Sequence, residues 1–405
     1  MALNSWQFLL LAFCAIVGLP ATRGWSRACL FLALNLIYAW SYWGGAAAPI
    51  GLAFCLAGFA GTRLVAGRST SVLVGTLAVL TIAFIYLRGY TLGGLSDAPA
   101  SSTGTLVAIA GLSFLFFKIV HVVVDASAGS VGQPSLVGYL NYSLNFTTFL
   151  MGPIQRYQDF TEQWSQRQAL EDFEANLDAA NRVLRGMVKA FVLAPLVAPF
   201  VIEPGLPLET LGGQQLVTMV YAFYVYLYLD FSGYCDIVIG VGAMMGVRPP
   251  ENFSFPFLSR DVSSYWLRVH RSLTTWLTDY IFTPSYRLLL RVAGPGRHSF
   301  LALAAPLMLT MLVAGAWHGT TLNFVVFGLV HGCALVAVRA YDALMTRWLG
   351  RAAFRRFTDH PVVAVLAVLL TYNFTSLAYV FFVLDVGEGL RVFGELARAV
   401  VRVLT

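Results

Sequence analysis

Apolar runs about as long as a membrane is thick recur along this chain from its first residues to its last. A hydrocarbon core of about 30 Å takes about 20 apolar residues per helical crossing. Runs near residues 5–22, 28–43, 46–62, 71–88 and 104–124 follow one another through short links. Later runs lie near 186–202, 214–247, 299–316, 322–338 and 361–384, before a final helix. Backbone crossing lipid must satisfy its polar groups internally, so the expectation is an all-α, polytopic helical membrane protein of about eleven membrane helices. Its 405 residues are read as one domain, 1–405, because no long polar segment is left to form a soluble one.

Composition excludes other classes. Only 11% of residues are charged and 58% are hydrophobic, far from a soluble enzyme or a disordered scaffold. Continuous apolar runs also differ from the weak alternation of an outer-membrane barrel. The formal charge of +6 is small for such a chain. In a membrane protein it reports basic cytoplasmic links, so no nucleic-acid partner is inferred. The five cysteines, at 14, 29, 55, 235 and 333, stand alone inside apolar stretches, and no metal site is expected. Met1 to Pro20 lacks a basic start and is read as the first membrane helix, not as a signal peptide.

Arginine placement gives an orientation. Arg23 and Arg27 fall in one link, Arg63 and Arg68 in the next but one, and Arg339, Arg347, Arg351, Arg355 and Arg356 in a late one. The positive-inside rule puts these links in the cytoplasm, and the N-terminus, Asp97 and Asp385 outside. Residues 156–185 mix charges with scattered Phe, Leu and Trp, as amphipathic helices on the cytoplasmic surface do. Residues 248–298 are too charged to span and too aromatic for a free loop. Re-entrant or interfacial helices packed into the bundle are expected there.

An ionisable group inside an apolar run is costly and is a functional candidate by default. Trp317-His318-Gly319 is the sharpest case: an uncharged break after about 18 apolar residues, with Gly315 and Gly319 letting backbone or a substrate approach the ring. An imidazole can serve as general base near neutral pH, though a histidine capping a helix end is the plain alternative. His331 can be a satisfied core residue, and His270 part of a basic face with Arg268 and Arg271. Asp230, Ser232 and Asp236 interrupt a long aromatic helix, where acids near a membrane surface need no further role. Lys118, His121 and Asp125 form one polar stripe by helical spacing. The G-x-S-x-G, P-loop and H-E-x-x-H signatures are absent.

Several motifs in order carry a resemblance. Gly111-Leu-Ser-Phe114, Met151-Gly-Pro-Ile-Gln-Arg-Tyr157 and Asp230-Phe-Ser-Gly-Tyr-Cys-Asp236 are followed by Arg248-Pro-Pro-Glu-Asn252-Phe-Ser-Phe-Pro256 and Ser259-Arg260-Asp-Val-Ser-Ser-Tyr-Trp266. His270-Arg-Ser-Leu-Thr-Thr-Trp276, Trp317-His-Gly319 and His331-Gly332 complete the set. Over about residues 111–332 the chain resembles the membrane-bound O-acyltransferases, and within them the bacterial branch of the alginate O-acetyltransferases and the teichoic-acid D-alanyl transfer protein. The resemblance implies a central tunnel with His318 as catalytic base and His270 as second site histidine. Asp230, Ser232, Asp236, Asn252, Arg260, Trp266, Trp317 and His331 are candidates to line it. The chain departs from many relatives in Trp276-Leu-Thr-Asp-Tyr-Ile-Phe-Thr-Pro-Ser285 and in Val269.

The expected activity is transfer of an acyl group, most simply acetyl, from a cytoplasmic thioester such as acetyl-CoA to a hydroxyl of an extracytoplasmic glycan. The donor is a substrate and no cofactor is held. Membrane lipid, the donor and the glycan, with or without a partner acyltransferase protein, are the expected partners, in a bacterial inner membrane. A transporter or channel for a small anion or glycan is the alternative of a different class. D-alanyl, lipid or protein acylation on the same fold is a third.

Overall fold

A computed structural model describes residues 6–89, 111–166, 172–293 and 300–404. Asp97 and the start of the 104–124 run lie outside the described residues. Every regular element among the described residues is helical. Among the described residues seven helices are long and apolar enough to cross a membrane, and Trp6–Ala21 is apolar but shorter.

The chain divides into two compact units. The first comprises described residues 6–89, 111–166, 172–188 and 233–251. Its helix Gly24–Val65 runs through both expected spans 28–43 and 46–62, bending at Gly44, whose φ of 67° suits a residue without Cβ. Thr70–Arg88 and Leu112–Ser127 follow, then the short Leu136–Ser143 and Tyr157–Gln166. Lys118, 1% exposed, donates to the Tyr142 carbonyl at 3.1 Å and to Thr148 Oγ1 at 2.7 Å. His121 Nε2 accepts the Tyr157 amide at 2.9 Å. The polar stripe of the sequence is thus a set of buried ties that fix the irregular stretch after Ser143, since buried polar groups must be partnered.

The expectation of a boundary at 185/186 is not met. Helix Phe173–Val188 continues through a π-turn, Lys189–Leu193, and on to Phe200, so the charged stretch and the apolar run after it form one helical element of 28 residues. Its first half is largely exposed, as a surface helix is, and Arg182 ties it down: Nε lies 2.9 Å from Asp236 and the guanidinium grips Glu251 with two 2.5 Å bonds.

The second unit comprises described residues 189–232, 252–293 and 300–404. Residues 252–293 are built of short pieces: a 3-10 turn Pro256–Leu258, helices Val262–Trp266 and Arg271–Leu277, a π-turn Thr278–Phe282, and Thr283–Ala293. Asp261 caps Val262–Trp266 reciprocally with Ser264, which explains a charge before this aromatic segment. Phe300–His318 and Leu322–Leu349 form a tight helical hairpin. A Cβ on Gly315 would collide with the Phe324 carbonyl, and one on Gly328 with the Met311 carbonyl, so small residues let the two backbones touch. Arg351–Asp359, Pro361–Ala378, Val380–Val383 and Val386–Leu404 complete the unit.

Candidate active site

His318 ends its helix and does not sit in a break, which is confined to Gly319–Thr321. The hairpin decides where its ring goes. Gly319 is filled by the Phe324 ring, so the expected freedom at both glycines is spent on backbone and side-chain packing. The half-buried imidazole lies among Trp317 at 4.6 Å, Phe382 at 4.9 Å and Phe327 at 6.2 Å between ring centroids. An aromatic collar of this kind excludes water around a basic nitrogen, which strengthens any polar contact made there. Asn323 Nδ2, buried, donates to the Phe381 carbonyl at 3.1 Å and so holds the Phe382 turn against the hairpin.

His270 is brought to the same aromatic cluster by a turn. Its φ is +45°, a left-handed conformation costly for any residue with a Cβ. Asn252, fully buried, supports the turn. Its carbonyl accepts the Arg271 amide at 3.0 Å, and its Oδ1 accepts from the Ser272 amide at 3.1 Å and Oγ at 2.9 Å. The His270 ring meets Phe231 at 5.0 Å and Trp317 at 5.8 Å. Trp317 therefore touches both histidines. Burial, and after it the neighbouring His318, pulls the His270 imidazole down to about 3, so it stays neutral at physiological pH.

His331 is the third histidine. It is fully buried one helical turn beyond Phe327, at 4.6 Å from that ring. Trp266 Nε1–H donates to its Nδ1 at 3.3 Å, which leaves the ring proton on Nε2 in the neutral form. Tyr265 stacks on it at 6.2 Å, and the Tyr265 hydroxyl is 2.6 Å from that of Tyr379.

The structure thus draws His318, His270, His331, Trp266, Trp317 and Asn252 into one neighbourhood, the last as a support for the His270 turn. Asp230 is half-buried and Ser232 buried on the Gly213–Met244 helix, but Phe231 between them makes the ring contact with His270. Asp236 pairs with Arg182 in the first unit. Arg260 is exposed, 3.7 Å from Asp359. Phe231, Phe327, Phe382, Tyr265 and Tyr379 escaped the sequence reading, since an aromatic in an apolar run carries no signal of its own. Phe327 alone could have been found, four residues before His331 on one helical face.

Residues 77–381 match the membrane-bound O-acyltransferase family, MBOAT. The chain belongs to that family. Among similar MBOAT-like proteins, the probable alginate O-acetylase of Pseudomonas syringae pv. tomato is 30% identical over 337 residues, 78% of this chain and 60% of that protein. The teichoic acid D-alanyltransferase of Streptococcus thermophilus is 28% identical over 296 residues, 71% of each chain. The peptidoglycan O-acetyltransferase of Helicobacter pylori is 31% identical over 254 residues, covering 61% of this chain and 44% of that protein. The MBOAT match includes all three histidines of the cluster. The chain spans less than two thirds of the length of the first and the last of these relatives.

Proposed function

We propose that this MBOAT protein is a membrane O-acyltransferase that moves an acyl group, most simply acetyl, from a cytoplasmic thioester such as acetyl-CoA to a hydroxyl of an extracytoplasmic glycan. The observation that carries this is a half-buried imidazole, His318, set at a helix end beside a buried neutral one, His270, with Trp317 against both. His318 takes the proton from the acceptor hydroxyl as its oxygen attacks the thioester carbonyl. The tetrahedral intermediate collapses with cleavage of the carbon–sulfur bond, and the proton passes to the departing thiolate. His270, neutral and buried, is suited to hold the carbonyl oxygen or the donor through a ring N–H. Trp317 keeps the two rings in register, and Trp266 orients His331 next to them.

We infer from arginine placement that residues 156–185, 248–298 and 339–360 face the cytoplasm of a bacterial inner membrane and that the N-terminus and Asp385 lie outside. D-alanyl transfer is the second reading, favoured by the even 71% coverage of both chains in the match to the S. thermophilus D-alanyltransferase.

The test uses inside-out vesicles supplied with acetyl-CoA labelled in the acetyl group. Free CoA should appear only when an acceptor glycan is present, with label on the glycan hydroxyl. Label crossing the membrane without release of a thiol would mean a transporter. Transfer of D-alanine and not of acetyl would replace the donor.

A further inference from the structure

Between two membrane helices, Leu322–Leu349 and Pro361–Ala378, the chain inserts a nine-residue helix, Arg351–Asp359, through single-residue joints at Gly350 and His360. Joints that short keep the insert at the level where the flanking helices leave the bilayer. Phe354 packs on Tyr341 at 5.8 Å and turns the opposite face outward. That face bounds an open cleft of about 680 Å³ lined by Arg351, Ala352, Arg355, Arg356, Asp359 and His360. Three guanidinium groups there face one carboxylate. Asp359 is shared between Arg355 at 3.5 Å and Arg260 at 3.7 Å, whereas Arg351 and Arg356 have no salt bridge among the described residues.

Apolar surface leads away from this cleft on both flanking helices. Leu344 and Trp348, four residues apart, are exposed before it, Trp348 by 78%. Val362, Val365, Leu366 and Leu369 form an exposed stripe at helical spacing after it. Uncompensated guanidinium groups beside two lipid-facing stripes match an amphiphile with an anionic phosphate head. A soluble polyphosphate would use only the arginines.

We propose that the Arg351–Asp359 helix is a binding site for an anionic phospholipid, its phosphate held by Arg351, Arg355 and Arg356 and its acyl chains laid along the Leu344–Trp348 and Val362–Leu369 stripes. Arginine suits the role because its planar fork pairs with phosphate through two parallel N–H bonds. Basic residues next to a membrane surface contribute about 1 kcal/mol each towards anionic lipid. The site is separate from the histidine cluster, and its occupancy does not depend on the acyl-transfer reading.

The full chain, purified in a neutral detergent, is titrated with fluorescent phosphatidylglycerol and, separately, fluorescent phosphatidylcholine. Arg351→Gln, Arg355→Gln and Arg356→Gln combined should weaken phosphatidylglycerol binding about a hundredfold and leave phosphatidylcholine unchanged. Arg356→Gln alone, at an exposed position outside any ion pair among the described residues, should weaken it about fivefold, which keeps the test valid if the triple variant misfolds. His318→Ala should bind the lipid as the wild type does. Equal affinity of the wild type and Arg356→Gln would overturn the proposal. So would displacement of the lipid by inorganic pyrophosphate at a concentration below that of the lipid, since the cleft would then serve a soluble phosphate.

Discussion

Asn252 shows how one residue changes meaning once its partners are seen. The motif placed it among residues lining a tunnel, yet its Oδ1 is occupied by Ser272, and it braces the left-handed turn that presents His270. Asn252→Ala leaves the buried Ser272 amide and hydroxyl without their acceptor, at a cost of about 1–3 kcal/mol. Transfer should fall with the loss of the turn, and Asn252→Asp, which keeps an acceptor oxygen, should restore much of it. Unchanged transfer in Asn252→Ala at matched membrane abundance would remove the support role. Glu251, the residue before it, answers to acid. The Arg182 guanidinium bonds hold its carboxyl at about 2, below its ordinary value near 4.5. A depressed carboxyl contributes stability above its unfolded value and loses it as pH falls towards the folded one. The thermal-stability gap between wild type and Glu251→Gln should therefore be constant above about pH 4.5 and shrink between there and about pH 2. A gap that does not shrink would mean that the ion pairs are not its source.

At the scale of elements, the hairpin Phe300–His318 with Leu322–Leu349 sets the position of His318, and it does so through contact of backbones. Gly328→Leu should therefore abolish insertion or stable accumulation. Gly315→Ala should lower stability by about 1–3 kcal/mol, as overpacking does, and lower transfer with it, since any shift moves the imidazole. Both are read by membrane abundance and thermal stability, and normal values in both would refute the close approach. The hairpin was legible in the sequence because two apolar runs flank one short break, Gly319–Thr321, which follows directly on the histidine. Its tightness was not, because glycine spacing does not say which carbonyl will fill the gap. The Phe173–Phe200 element misled for a different reason. Its charged first half is an exposed surface helix, as expected, but it runs on into the apolar half without a break, and Arg182 pairs it with Asp236 and Glu251, residues more than fifty positions away. Pairing with distant partners leaves no local periodic trace. Phe327 and Phe382 against His318, and Phe231 against His270, were hidden likewise, for want of contrast with the apolar runs around them.

At the scale of the molecule, a chain of the MBOAT family has only helices as regular elements among its described residues, seven of them long and apolar enough to span. Composition and run length were enough for the helical membrane class, since hydrocarbon admits so few backbone solutions, whereas the family was carried by ordered motifs. His318 is the proposed base for acyl transfer from a donor on the cytoplasmic side. Wild type and His318→Ala, at equal abundance in sealed vesicles of known orientation, are given labelled acetyl-CoA from outside the vesicle. Wild-type inside-out vesicles should label the acceptor, right-side-out vesicles should not, and His318→Ala should lose about 10²- to 10⁴-fold in rate while inserting normally. Transfer at the wild-type rate by His318→Ala, or equal labelling in both orientations, would contradict it.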